Sequence, residues 1–91
     1  MQFEWDENKN SINIQKHGID FNDAIEMFKH PLLSLEDNRD YYGEERWLGI
    51  GWIKNMMGVV IYTERTGDVI RIISARKATK KEVSYYEQYS H

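Results

Sequence analysis

The fold is decided by residues 46–77, which read RWLGIGWIKNMMGVVIYTERTGDVIRIISARK. Three segments of this stretch, at 46–53, 57–63 and 69–74, are rich in Val, Ile and aromatic residues, as β-strands are. A tight turn at 54–55 separates the first two segments, and a turn at 66–68 precedes the third. Turns this short join antiparallel neighbours, so the stretch predicts a set of antiparallel hairpins.

Two helices are predicted before these strands. Asp6 is suited to accept the free N–H groups at the start of a helix over 7–17, and Gly18 is suited to end it in a left-handed conformation. Ile12 is the main apolar anchor expected of this weakly amphipathic helix. A second helix is predicted over 20–29, because Asp20 is a good cap and Pro31 prevents continuation.

The second helix has a complete apolar stripe. Phe21, Ala24, Ile25 and Phe28 lie at positions i, i+3, i+4 and i+7, which share one face of a helix. We therefore expect Phe21, Ile25 and Phe28 to be buried and both helices to pack beside the sheet.

The remaining segments complete an α+β fold. Residues 3–5 are predicted to form a strand or an apolar clip, residues 32–35 a strand, and residues 37–40 a polar turn. Thr79 and Glu82 have the spacing of a capping box, which predicts a last helix from about Lys80. A chain of 91 residues buries one modest core. We expect one domain over 1–91, with a small antiparallel sheet of about four strands, two N-terminal helices and one C-terminal helix.

Composition argues against several classes of protein. The chain has no cysteine, which excludes a disulfide framework, a Cys-ligated zinc and a thiol nucleophile. No apolar run approaches the length of a membrane span, and the first residues lack the basic and apolar regions of a signal peptide. We therefore expect a cytoplasmic protein with no membrane partner.

Charge is distributed unevenly along the chain. Residues 1–45 contain four Lys or Arg and eleven Asp or Glu, a net of −7, whereas residues 46–81 contain eight and two, a net of +6. Glu82 and Glu87 bring the total to −3. This asymmetry indicates two partners, one polyanionic and one basic, although a solvated surface with incidental clustering would give the same pattern.

Four short motifs occur in order along residues 3–86. They are Phe3-Glu4-Trp5-Asp6 with Lys9; Lys16-His17-Gly18-Ile19 with Phe21 and Ala24; Asp37, Gly43-Glu44, Arg46 and Ile50-Gly51; and Arg71-Ile72-Ile73-Ser74-Ala75-Arg76 with Glu82 and Tyr86. In this combination the chain resembles the BrnT toxins of bacterial type II toxin–antitoxin systems, although Asn22-Asp23 stands where a glutamate-rich pair is expected. The resemblance implies a fold similar to RelE-type ribonucleases and an RNA-cleaving activity. It also implies a BrnA-like, DNA-binding antitoxin that joins the toxin in a heterotetramer.

Two arginines are candidates for the charge stabilisation that RNA cleavage requires. Attack by the 2′-hydroxyl of the RNA on the adjacent phosphorus builds negative charge, which the planar fork of arginine is suited to stabilise. Arg71 interrupts an apolar strand and shares a face with Val69 and Ile73, and Arg76 lies just past the predicted strand end. The alternatives are a structural ion pair for Arg71 and a surface charge for Arg76.

Proton transfer requires a carboxylate or a histidine. Glu44 would share a face with Arg46 if both were in a strand, and His17 is the histidine that lies beside another candidate, Lys16. A surface pair at 44 and 46, and cations that merely stabilise a helix end at 16 and 17, are the alternatives. The basic side chains expected to bind RNA are Lys16, Arg46, Lys77, Lys80 and Lys81.

Metal and cofactor chemistry have little support in the sequence. No histidines or carboxylates have metal-ligand spacing, and Gly49-x-Gly51 lacks the third glycine of a dinucleotide loop, so neither a metal nor a cofactor is expected. The alternative to a ribonuclease is a non-catalytic subunit that associates with and tunes a DNA-binding repressor. Convergence of Glu44, Arg71 and Arg76 would favour catalysis, and scatter over separate faces would favour binding alone.

Overall fold

The sheet at the centre of the molecule has five strands. The structure, a computed structural model, describes residues 1–39 and 43–89; Asp40, the last residue of the predicted polar turn, lies outside these ranges. The strands are β1 (Gln2–Glu4), β2 (Leu33–Glu36), β3 (Trp47–Ile53), β4 (Met56–Arg65) and β5 (Val69–Lys77), in the order β1-β5-β4-β3-β2. The α+β class is therefore confirmed, and the sheet has five strands where about four were expected.

The predicted hairpins form the middle of this sheet. β3, β4 and β5 pair antiparallel in sequence order, and β2 adds antiparallel to β3. The turns place Lys54, Gly67 and Asp68 at positive φ, which lets the chain reverse within two or three residues. β4 and β5 are longer than predicted, and β5 continues to Lys77. The prediction that Arg76 lies beyond the strand was therefore wrong.

The N-terminal strand was not expected to pair as it does. β1 lies parallel to β5, with Gln2 opposite Val69 and Glu4 opposite Arg71, so the sheet is mixed rather than purely antiparallel. A parallel partner needs a long crossover connection, and here the whole of residues 5–68 separates the two strands. This pairing covers only the first three residues of β5.

The first helix, α1 (Glu7–His17), lies against the uncovered part of β5. Asp6 caps it by accepting from the N–H groups of Asn8 and Lys9, and Gly18 ends it at φ 73°. The expectation that Ile12 anchors this helix was wrong, because 60% of Ile12 is exposed. The anchor is polar: the buried Asn13 amide donates to the Ala75 carbonyl at 2.9 Å and accepts from the Ala75 N–H at 3.1 Å.

The second helix changes geometry along its length. It begins as α2 (Phe21–Ala24) and continues as a 3-10 helix over Ile25–Lys29. Ala24 lies about one α-helical turn after Phe21, and the three residues per turn of the 3-10 helix place Met27 on the same side as Ala24. All three side chains are fully buried. The predicted burial is therefore confirmed for Phe21. Ile25 and Phe28 are only partly buried, because they lie in the 3-10 helix, where the spacing that predicted one α-helical face no longer applies.

The sheet is covered by helices on both faces. α2 and the 3-10 helix supply the core on one face, and α3 (Lys80–Tyr89) packs on the other through Val83 and Tyr86. α1 lies at the edge of the sheet, against β5. We call the second face the α3 face. No residue of α3 is fully buried, and the helix lies near Ile50 and Val59. Arg65 and Arg71 lie on this face at the end of β4 and the start of β5.

Candidate active site

A β-bulge places Arg71 and Arg76 on the same face of the sheet. Residues five apart point to opposite faces of a regular strand. Between β4 and β5, however, Ile61 pairs with Ser74 and Tyr62 with Ile72, which leaves Ile73 as an extra residue. Arg71 lies opposite Thr63 and Arg76 opposite Val59, so both project from the α3 face. The two positions are four residues apart along β4, or about 13 Å.

The bulge also corrects the predicted faces of β5. Regular alternation, with Arg71 on the same face as Val69 and Ile73, would put Ser74 on the opposite side, but its partner Ile61 belongs to the α3 face. Ser74 therefore lies on the same face as both arginines, between their positions along the strand.

Arg76 is held by a two-pronged ion pair with Glu82. Its Nη1 and Nη2 donate to the two carboxylate oxygens of Glu82, each at 2.8 Å. The side chains are 30% and 20% exposed, respectively. The hydrogen bonds from Arg76 lower the pKa of Glu82 to about 2, against the opposing effect of burial. The same carboxylate completes the predicted capping box, because it accepts from the Thr79 N–H at 2.9 Å. The start of α3 and the head of Arg76 are thus fixed by one side chain.

Arg71 begins a chain of ion pairs that ends at Glu44. Arg71 Nη1 donates to Glu4 of the neighbouring strand at 2.7 Å, which is the kind of structural ion pair that the sequence left open as the alternative. Arg65 lies 3.9 Å from Glu4 and 3.8 Å from Glu44. Glu44 therefore reaches the same region as Arg71 through two intermediate side chains. It does so from the loop before β3, since neither Glu44 nor Arg46 is in a strand.

A second carboxylate lies near Arg46. The Asp37 N–H donates to the Arg46 carbonyl at 2.8 Å, which extends the pairing of β2 with β3 by one step. The Asp37 carboxylate is nearly buried and accepts from Arg39 Nε at 2.8 Å and Nη2 at 3.1 Å. These hydrogen bonds lower the pKa of Asp37, and the charge of Arg46 lowers it further.

Lys16 and His17 lie apart from these pairs. Both are exposed at the end of α1. With Lys9 and Ile12 they line a shallow depression whose floor is formed by Ile73 and Ser74 of β5. His17 is therefore beside the edge of the sheet, next to the bulge, and none of the described contacts joins it to Glu44. Lys77, at the end of β5, and Lys80 and Lys81, in the first turn of α3, are exposed.

Three charged residues of this arrangement were not predicted as site residues. Glu4 and Arg65 connect Arg71 to Glu44, and Glu82 orients Arg76. Glu82 carried a signal in the sequence, because its capping-box position already placed a carboxylate near the end of β5. Glu4 carried none, since its position beside Arg71 depends on the parallel pairing of β1.

Two further observations concern the described residues as a whole. Within residues 1–39 and 43–89, no group of three or more histidine, aspartate or glutamate side chains is arranged to hold a metal ion. No helix in the same ranges is long and apolar enough to cross a membrane.

The fold and the arginines of the α3 face define a small α+β protein suited to engage phosphate groups. The family model of BrnT, the ribonuclease toxin of type II toxin–antitoxin systems, matches residues 5–82. The chain therefore belongs to the BrnT family of ribonuclease toxins.

A solved structure agrees with this assignment. The crystal structure of the Brucella abortus ribonuclease toxin BrnT is similar with a TM-score of 0.72 and 30% sequence identity, over 88% of this chain and 99% of that chain. The comparison with curated proteins produced no match.

Proposed function

We propose that this toxin cleaves RNA without a metal ion, on the α3 face of its sheet, and that a BrnA-like antitoxin neutralises it. In this reaction a base takes the proton of the RNA 2′-hydroxyl, and the 2′-oxygen attacks the adjacent phosphorus. The bond from phosphorus to the 5′-oxygen breaks, and an acid returns a proton to that oxygen. The products are a 2′,3′-cyclic phosphate and a 5′-hydroxyl end.

The single observation that carries this proposal is the bulge of β5. It brings Arg71 and Arg76 to one face, on either side of Ser74, so that both guanidinium groups are within reach of one RNA strand. We assign to these arginines the stabilisation of the phosphorane-like transition state. Their carboxylate partners hold the guanidinium groups in place before RNA arrives.

We propose Glu44 or His17 as the group that transfers the protons. Glu44 is about one-third exposed and joins the Arg71 network through Arg65, whereas His17 approaches Ser74 from α1. Either group is chemically able to transfer the protons. Arg46 or Lys16 would position the scissile phosphate, while Lys77, Lys80 and Lys81 would contact RNA farther along the basic segment.

The antitoxin belongs to the same proposal. A type II system pairs a toxin with a protein antitoxin, and we expect a BrnA-like, DNA-binding protein that covers the arginines and forms a heterotetramer. The charge asymmetry of the chain would accelerate association and make it sensitive to salt. Co-expression with the adjacent gene should yield a stable complex that elutes as a heterotetramer, with RNA cleavage suppressed. We further expect a RelE-like fold and a cytoplasmic site of action.

The test is RNA cleavage by purified wild type and by Arg71→Ala, Arg76→Ala and Glu44→Ala. Loss of one preorganised donor should slow cleavage by roughly 10²–10³-fold. Lys54→Ala is the matched control, because Lys54 is also ion-paired, to Asp23 at 2.9 Å, but lies beside α2 on the other side of the sheet. DNA should remain intact since it lacks the 2′-hydroxyl, and EDTA should have no effect.

The results separate the proposal from its alternative. Wild-type rates in all three variants would show that the site is wrong, and inhibition by EDTA would show that the mechanism uses a metal. One observation favours the alternative of a binding subunit: both arginines are already bonded to carboxylates and their positions are about 13 Å apart. A wild type that binds its antitoxin but cuts no RNA would support that alternative.

A further inference from the structure

A row of polar residues crosses the whole sheet on the α3 face. On β5, Arg71 lies opposite both Glu4 of β1 and Thr63 of β4. The pairing of Trp47 with Tyr62, continued by one residue, places Arg46 opposite Thr63 on the other side. The hydrogen bond between the Asp37 N–H and the Arg46 carbonyl then adds Asp37 at the end. The row therefore has a hydroxyl at its centre, an arginine on each side, and a carboxylate at each end.

The hydroxyl at the centre of the row lacks a partner among the described residues. Thr63 is only 3% exposed, and its Oγ1 has no hydrogen bond within residues 1–39 and 43–89. Buried hydroxyl groups are normally paired, so this atom requires an explanation. It projects from the α3 face, because Val59 and Ile61 of the same strand belong to the core on that side.

The neighbours of Thr63 define what would satisfy it. A guanidinium group has only donors, so an arginine on either side can donate to the hydroxyl oxygen but cannot accept its proton. The proton needs an acceptor that is also attracted by two positive charges. An oxygen of a phosphate group meets both requirements. Arg71 uses Nη1 for Glu4, which leaves Nη2 and Nε to face such an anion.

We propose that Arg46, Thr63 and Arg71 bind one phosphodiester oxyanion of the substrate, with the Thr63 hydroxyl as a donor. The proposal rests on the proposed function in one respect: the phosphate is taken to belong to RNA. The hydroxyl is buried in the free protein. The side chains of Arg46 and Arg71 therefore rotate as the anion enters, so that it reaches the hydroxyl and both guanidinium groups.

The test compares Thr63→Val, which removes the hydroxyl at nearly constant shape, with Thr63→Ser, which keeps it. Thr66→Val, in the exposed turn after β4, is the matched control. The probe is a 2′-deoxy oligonucleotide, which supplies phosphodiesters but lacks the nucleophile and is not cut. Its affinity is measured by fluorescence anisotropy at fixed salt. Thermal melts in sodium phosphate and in sodium chloride of equal ionic strength test the free ion.

We expect Thr63→Val to weaken oligonucleotide binding by roughly 10–100-fold, the effect of one charge-assisted hydrogen bond. Thr63→Ser and Thr66→Val should bind like the wild type. The melting temperature of Thr63→Val should be unchanged or higher, because an unsatisfied buried hydroxyl is removed. A purely structural threonine would instead give a lower melting temperature and unchanged binding, and that result would overturn the proposal. So would stabilisation by inorganic phosphate without oligonucleotide binding.

The binding experiment does not measure cleavage. The anion site at Thr63 and the ribonuclease activity of the wild type are therefore tested independently. If Thr63→Val loses binding and the wild type cuts no RNA, the anion site is supported and the ribonuclease site is wrong. If the wild type cuts RNA and Thr63→Val binds normally, the anion site alone is wrong.

Discussion

The ion pair between Arg76 and Glu82 should be measurable as a coupling energy. We consider Arg76→Ala, Glu82→Gln and the double variant, because glutamine preserves the capping box at α3 while removing the charge. The pKa of Glu82 falls from the ordinary 4.5 to about 2 in the folded protein, chiefly through the hydrogen bonds from Arg76. At about 1.4 kcal/mol per pKa unit, this shift sets an upper bound of about 3 kcal/mol.

Solvent reduces that bound, because the two side chains are 30% and 20% exposed. We expect a coupling free energy of about 1–2 kcal/mol, larger than that of a typical surface pair because both carboxylate oxygens are engaged. In a domain of this size, such a loss lowers the melting temperature by roughly 4–16 °C. Arg76→Ala should therefore be folded at room temperature but visibly less stable than the wild type.

The pH dependence provides the second readout. The folded pKa of Glu82 is below its unfolded value, so its contribution to stability is present above about pH 4.5 and is lost as the pH falls towards 2. The free energies of unfolding of the wild type and Arg76→Ala, from urea titrations, should differ most at pH 7 and converge below pH 4.5. The Lys54–Asp23 pair is the control and should show no measurable coupling, since it is largely exposed. A difference that stays constant from pH 7 to pH 3 would refute the reasoning.

Two further changes test the packing that positions the site. Asn13→Ala leaves both backbone groups of Ala75 without their partner and should lower the free energy of unfolding by about 2–4 kcal/mol. Asn8→Ala, on the exposed side of the same helix, should have little effect, and equal urea midpoints for the two variants would contradict this account. Gly58→Ala would place a methyl group 2.5 Å from Ile53 Cδ1 and 3.2 Å from the Arg76 carbonyl, at a cost of about 1–3 kcal/mol. A Gly58→Ala melting temperature equal to that of the wild type would show that the strands separate there without strain.

Local patterns predicted the secondary structure well where neighbours along the chain determine it. Asp6 and Gly18 bound α1, Thr79 and Glu82 cap α3, and the short turns joined β3, β4 and β5 as expected. Each of these features depends on contacts within a few residues. Their physical causes, a carboxylate on free N–H groups or a glycine at positive φ, are visible in the sequence itself.

Features that depend on distant contacts could not be predicted. Ile12 was expected in the core because it is apolar, but the edge of β5 is closed by Asn13, whose amide substitutes for a strand. The parallel pairing of β1 with β5, which makes Glu4 the partner of Arg71, could not be predicted for the same reason. The arginines themselves were identified by residue type and family resemblance, whereas their common face depends on an extra residue that no local pattern indicates.

The extra residue of β5 also affects how related sequences should be aligned. Ile73 has no partner in the ladder, so a strand that lacked it and ran without a bulge would hold two arginines four residues apart on one face. A gap of one position between the equivalents of Arg71 and Arg76 is thus compatible with the same surface. A gap of one position elsewhere in β5 would turn one side chain to the opposite side. Alignments of this strand should therefore allow a gap at Ile73 and penalise it at the positions that pair regularly with β4.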